Sequence, residues 1–223
     1  MATPKPTQDE IKCERRAIKS PATISQRAEG GSVVEGYAAV FYDPNDPGTE
    51  YRLWEDLIER IDPNAFNRAL AENQPCRCFV NHDPNYRLGR CDKGTCRLRV
   101  DGKGLWYSAD LPDTQVGRDT ATDLGNGNLD GSSFSFRVTG QRWEDIKGDD
   151  GRFMTIRTIT DVDLFDVGPV GFPAYEATTA GLRSTETTEE ILAQRDAWRQ
   201  KRQSEAEAVK VRIRQIEVLQ ATE

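Results

Sequence analysis

The chain has one histidine and two methionines in 223 residues. It also lacks any window of about 18 consecutive apolar residues. That second absence excludes a membrane-spanning helix. Residues 1–20 hold no apolar core of the kind a secretory signal needs, which excludes export by that route. Positive charge is not in excess either: 30 Lys and Arg face 37 Asp and Glu, for a net charge of −7. A general nucleic-acid binder needs a basic face to neutralise phosphates, so neither nucleic acid nor a membrane is expected as a partner. Charged residues reach 30%, above the usual ~25%. The expectation is a soluble, acidic, intracellular protein.

Five cysteines (Cys13, Cys76, Cys78, Cys91 and Cys96) are an odd number. In a reducing compartment they favour free thiols over a disulfide framework. Four of them flank His82 closely enough to invite a zinc reading. The spacing Cys-x-Cys followed by Cys-x4-Cys is not that of a standard knuckle, and the alternating neighbours suit strands. Buried small side chains are the expected role.

Residues 1–14 are polar and aperiodic and read as a mobile leader. From 15 to 42 the pattern is β-like, with Glu29-Gly30-Gly31 as a hairpin turn. Residues 43–48 form a loop. Asp62 caps a short helix that begins at Pro63 and carries Phe66, Ala69 and Leu70 on one face. Short strands follow at 76–82, 87–91, 95–100 and 105–111. Asp113 or Thr114 caps a second helix running to Leu124. Strands return at 129–139 and 153–170. Close strand spacing with two brief helices predicts a mainly β, α+β fold: a small β-barrel flanked by short helices. No βαβ alternation supports a parallel sheet.

Beyond Gly181 the composition changes. Residues 182–223 contain neither glycine nor proline, and 15 of the 40 residues from 184 onward are charged. Thr187-Thr188-Glu189-Glu190 is a capping box that announces a long helix. Its apolar stripe, Ala206, Val209, Ile213 and Ile216, covers less than two heptads. The expected organisation is a leader (1–14), a body (15–183) and a charged helical tail (184–223).

Three segments could carry chemistry. His82 ends a strand and opens on a loop, a usual place for a general base. In Gly131-Ser132-Ser133-Phe134-Ser135-Phe136, alternation sends Ser132, Phe134 and Phe136 to the core and Ser133 and Ser135 to the other face. If one serine is a nucleophile, Ser133 is favoured, because it lies nearest the glycine turn. Asp166, among Leu164, Phe165 and Val167, is an acid in need of a partner, and orienting an imidazole would supply one. Asp161 and Asp163 compete for that part.

Several pieces in order resemble the prohead protease family of tailed phages. They are Gly36-Tyr37-Ala38-Ala39-Val40-Phe41, Ile61-Asp62-Pro63-Asn64-Ala65-Phe66, Asn81-His82-Asp83 and Leu88-Gly89-Arg90. Gly104-Leu105-Trp106, the segment from Gly131 to Phe136, and Asp163-Leu164-Phe165-Asp166-Val167 running to Phe172-Pro173-Ala174-Tyr175 complete the series. Together they cover about residues 14–183. The resemblance implies a fold related to herpesvirus assemblin and a serine endopeptidase with His82 as general base, Ser133 as nucleophile and Asp166 as third member. It implies no metal or organic cofactor.

The implied substrates are the major capsid protein's scaffold segment, or a separate scaffold, and the protease itself. Cleavage would occur inside the procapsid assembling in the host cytoplasm. The sequence departs from the family pattern at Asp166 (usually Glu), Gly168 (often Ser), Asn64 (often Gly) and Ser135 (often Gly). The changes at 64 and 135 are expected to leave the proton path untouched. The competing readings are a non-enzymatic assembly module and a zinc-stabilised binding domain.

Overall fold

Two long antiparallel strands, β10 (Gly131–Lys147) and β11 (Phe153–Val170), carry the architecture. In β10, Phe134 and Phe136 share one face and stack with ring centroids 4.5 Å apart. Phe66 meets Phe134 edge-on at 5.7 Å. Period-two alternation of bulky apolar residues is what commits these strands to a one-sided core.

The computed structural model describes residues 13–27, 30–147, 151–171 and 188–220. Its remaining strands are β1 (Glu14–Ile18), β2 (Thr23–Gln26), β3 (Ser32–Val40), β4 (Tyr51–Trp54), β5 (Leu57–Ile61), β6 (Arg77–Phe79), β7 (Arg87–Arg90), β8 (Cys96–Val100) and β9 (Gly104–Asp110). The helices are α1 (Asn67–Ala71), α2 (Gln115–Gly125) and α3 (Thr188–Gln220).

The mainly β, α+β class agrees with the sequence reading. The closed barrel does not: the strands form two open sheets. The larger runs β1-β10-β11-β5-β4, with β6 on β11 and β7 on β6, while the smaller runs β2-β3-β9-β8. The physical reason is the length of β11. Its first half pairs with β5 and its second half with β6, both in parallel. One strand thus serves two successive partners, so parallel pairs are present although no βαβ alternation in the sequence announced them.

The hairpin of β4 and β5 lies in a stretch that the sequence pattern left unassigned. The first helix also starts later than expected. Asp62 caps a turn by accepting from the Asn64 N–H at 2.9 Å, and helical geometry begins at Asn67. Thr114 caps α2, accepting from the Gly117 N–H at 3.3 Å.

Beneath this frame lies a buried ionic cluster joining four strands. Arg16 of β1 donates to Glu59 of β5 at 2.6 Å and to Glu14 at 2.5 Å. Arg157 of β11 donates to both carboxylates at 2.8 Å, and to Gln141 of β10 at 2.7 Å. Glu14, placed in the leader by composition, is therefore a buried strand residue. Burial disfavours the Arg16 charge, but Glu59 and Glu14 more than offset this and hold its pKa above the usual arginine value. Two cations and two anions neutralise one another, which is what makes their burial tolerable.

The tail is a separate compact unit, residues 187–223. In α3, Val209, Ile213 and Ile216 of the predicted stripe are exposed. Lys201 pairs with Glu205 at 3.9 Å and Lys210 with Glu207 at 3.4 Å, ion pairs of solvated helix type.

Candidate active site

β10 presents Ser133 and Ser135 on the face opposite Phe134 and Phe136, as alternation requires. Ser132 follows the core side, where its hydroxyl meets the Tyr107 hydroxyl at 3.2 Å. Ser133, 1% exposed, sits across from Gly168 in the neighbouring strand. A Cβ at Gly168 would lie 1.9 Å from the Phe79 carbonyl oxygen, so only glycine lets β11 approach β6 this closely. That approach brings the turn after β6 over Ser133.

The turn carries His82. Asn81 and His82 both adopt left-handed backbone, at φ 53° and 58°. Such conformations cost free energy in residues with a Cβ and persist where surrounding bonds fix them. Here the Asn81 N–H donates to the Pro169 carbonyl at 3.0 Å, and Asn81 Oδ1 accepts from the Gly171 N–H at 3.0 Å. The His82 ring is thereby clamped against the end of β11. Its Nε2 lies 2.6 Å from Ser133 Oγ and its Nδ1 lies 2.5 Å from Asp166 Oδ1.

Asp166 reaches this face because of a bulge. Ser135 pairs with Asp166, but Phe136 pairs with Leu164, leaving Phe165 as an extra residue. An inserted residue reverses alternation. Val162 and Leu164 point to the core before it and Val167 after it, so Asp166 turns outward beside Ser135. The rival acids are engaged elsewhere. Arg68 holds Asp161 at 2.8 Å and Asp163 at 2.9 Å, and Arg137 also pairs with Asp163. Arg137 and Arg68 hold the Asp163 carboxyl below the usual range, against the opposing effect of its partial burial.

Sequence reasoning missed two features of the site. The serine at 135 does touch the proton path: its hydroxyl donates to Asp166 Oδ2. The Arg16 carbonyl oxygen, on β1, lies 2.8 Å from Ser133 Oγ. The Ser133 proton therefore has two acceptors, the Arg16 carbonyl and His82 Nε2, and only the second activates the oxygen as a nucleophile. The shared face of Ser133 and Ser135 was the available signal for the first feature. Nothing in the sequence announces the second.

The five cysteines are free thiols, with Cys76, Cys78 and Cys96 buried. Among the described residues no group of His, Cys, Asp and Glu is arranged to hold a metal ion. His82 instead spends both ring nitrogens on Ser133 and Asp166. A hydroxyl, an imidazole and a buried carboxylate in this order can perform acyl transfer.

No curated protein sequence matches the chain. Among solved structures, the capsid assembly protease gp21 of bacteriophage T4 is similar over 73% of this chain and 100% of its own, with 11% identity and a TM-score of 0.41. Residues 19–192, from just after β1 into the start of α3, match the caudovirus prohead serine protease family, and the chain belongs to that family.

Proposed function

We propose that this capsid-maturation protease is a serine endopeptidase in which Ser133 is the nucleophile, His82 the general base and Asp166 the group that orients His82. The observation that carries the reading is the continuous chain Ser133 Oγ, His82 Nε2, His82 Nδ1, Asp166 Oδ1, with contacts of 2.6 and 2.5 Å. In the reaction, Ser133 Oγ bonds to the substrate carbonyl carbon while its proton passes to His82 Nε2. The peptide C–N bond then breaks as His82 returns that proton to the leaving amine. Water attacks the resulting ester, giving its proton to His82, which delivers it to Ser133 Oγ as the acid leaves. Asp166 stays ionised, holding the working tautomer and stabilising the imidazolium.

The substrates we propose are the scaffold segment of the major capsid protein, or a separate scaffold, and the protease itself, inside the procapsid in the host cytoplasm. The stretch 182–188, rich in Ser and Thr, is the proposed site of self-trimming, and its residues 182–187 lie outside the described residues.

Co-expression with the neighbouring capsid gene, read by intact mass, tests the reading. The wild-type chain should yield trimmed capsid protein. Ser133→Ala and His82→Ala should yield none, while Ser132→Ala retains processing because its hydroxyl faces Tyr107. Trimming by Ser133→Ala, or equal loss in Ser132→Ala with its fold intact, overturns the assignment.

A further inference from the structure

Asp166 uses only one carboxylate oxygen on His82. The other, Oδ2, accepts the hydroxyl of Ser135, which is 1% exposed. Ser133 and Ser135 stand two residues apart on one strand face, about 7 Å along β10. The carboxylate and the imidazole arch over that interval, from Ser135 at one end to Ser133 at the other.

We propose that Ser135 is a positioning residue: its hydroxyl fixes the rotation of the Asp166 carboxylate and, through it, the ring of His82. This rests on the reading of Ser133, His82 and Asp166 as the reacting group.

An aspartate's terminal torsion is broad, so one contact to His82 would leave the carboxylate plane loosely defined. A second anchor on the far oxygen removes that freedom. Asp166 is also buried, and a buried carboxylate requires hydrogen-bond donors. Ser135 has one proton to give, and the charged oxygen is its strongest available acceptor. The resulting series is Ser135, Asp166, His82 and Ser133, with the carboxylate held between the Ser135 hydroxyl on one oxygen and the imidazole on the other.

The test uses the full-length chain and a fluorogenic peptide spanning the cleavage site read from processed capsid protein. Ser135→Ala should lower kcat by about tenfold to hundredfold with KM unchanged, the scale on which losing the outer hydrogen-bond partner of a metal-bound side chain acts. In an Asp166→Ala background the same substitution should change nothing further, since its effect passes through Asp166. The low-field proton resonance of His82 Nδ1–H should shift or broaden in Ser135→Ala. Ser135→Cys, with its weaker donor, should fall between Ala and wild type, and it keeps the test readable if the alanine variant does not fold.

A wild-type kcat in either variant overturns the proposal. So does an equal loss in the Asp166→Ala background, which would mark the hydroxyl as merely structural. If Ser133→Ala remains active, the triad reading fails instead, and the two failures are told apart by that one control.

Discussion

At Asp166, one extra residue decides which acid meets the histidine. Asp161, Asp163 and Asp166 all lie on β11, and sequence alternation alone leaves them in competition. The bulge at Phe165 turns Asp166 to the face of Ser133 and Ser135, while Arg68 and Arg137 occupy the other two. Asp166→Asn should therefore lower kcat by roughly 10²- to 10⁴-fold, as loss of the tautomer-holding group does elsewhere. Asp161→Asn and Asp163→Asn should leave kcat near wild type and cost at most about 1 kcal/mol of stability, being partly exposed ion pairs. Peptide kinetics and thermal melts of the three variants check both statements. A collapse of kcat in Asp163→Asn would mean that β11 pairs with β10 in a different register, with Asp163 facing His82.

Among the elements, β1 has more influence than its five residues suggest. It precedes the segment that matches the family, yet its Arg16 side chain enters the buried cluster and its Arg16 carbonyl lies against Ser133. Removing one member of a buried charge cluster leaves its partners desolvated and unpaired. Arg16→Met should destabilise the fold by about 3–5 kcal/mol, and chemical denaturation followed by fluorescence measures the shift. A loss below about 1 kcal/mol would show that solvent reaches Glu59 and Glu14. The turn after β6 shows the same dependence on remote partners. Its left-handed Asn81 and His82 are held by Pro169 and Gly171 at the far end of β11, some ninety positions along the chain.

On the scale of the whole molecule, the chain divides into a body of residues 1–186 and a helical unit of residues 187–223. A charged helix with a short exposed apolar stripe gains little from its own propensity and needs packing partners to be stable. The concentrated interior of a procapsid is where such a stripe would find them. We therefore expect the tail to serve incorporation rather than chemistry. Truncation after Arg183 should leave a folded enzyme that cleaves the fluorogenic peptide with wild-type kcat but is depleted from purified procapsids. Loss of peptide cleavage, or an insoluble product, would make the tail part of the catalytic unit.

The sequence by itself determined what depends on local pattern. Alternation in Gly131-Ser132-Ser133-Phe134-Ser135-Phe136 separated Ser133 from Ser132. The single histidine limited the choice of base, and Asp113 or Thr114 marked the start of a helix running to about Leu124. These features need only neighbours in the chain, so composition and period reveal them. Tertiary structure decided whatever depends on partners far away. The division of β11 between β5 and β6 opened the expected barrel into two sheets. The bulge at Phe165 chose among three acids, and β1 supplied a carbonyl to Ser133. Strand partnership and register are set by which surfaces bury together, and a bulge is visible only against the strand it pairs with.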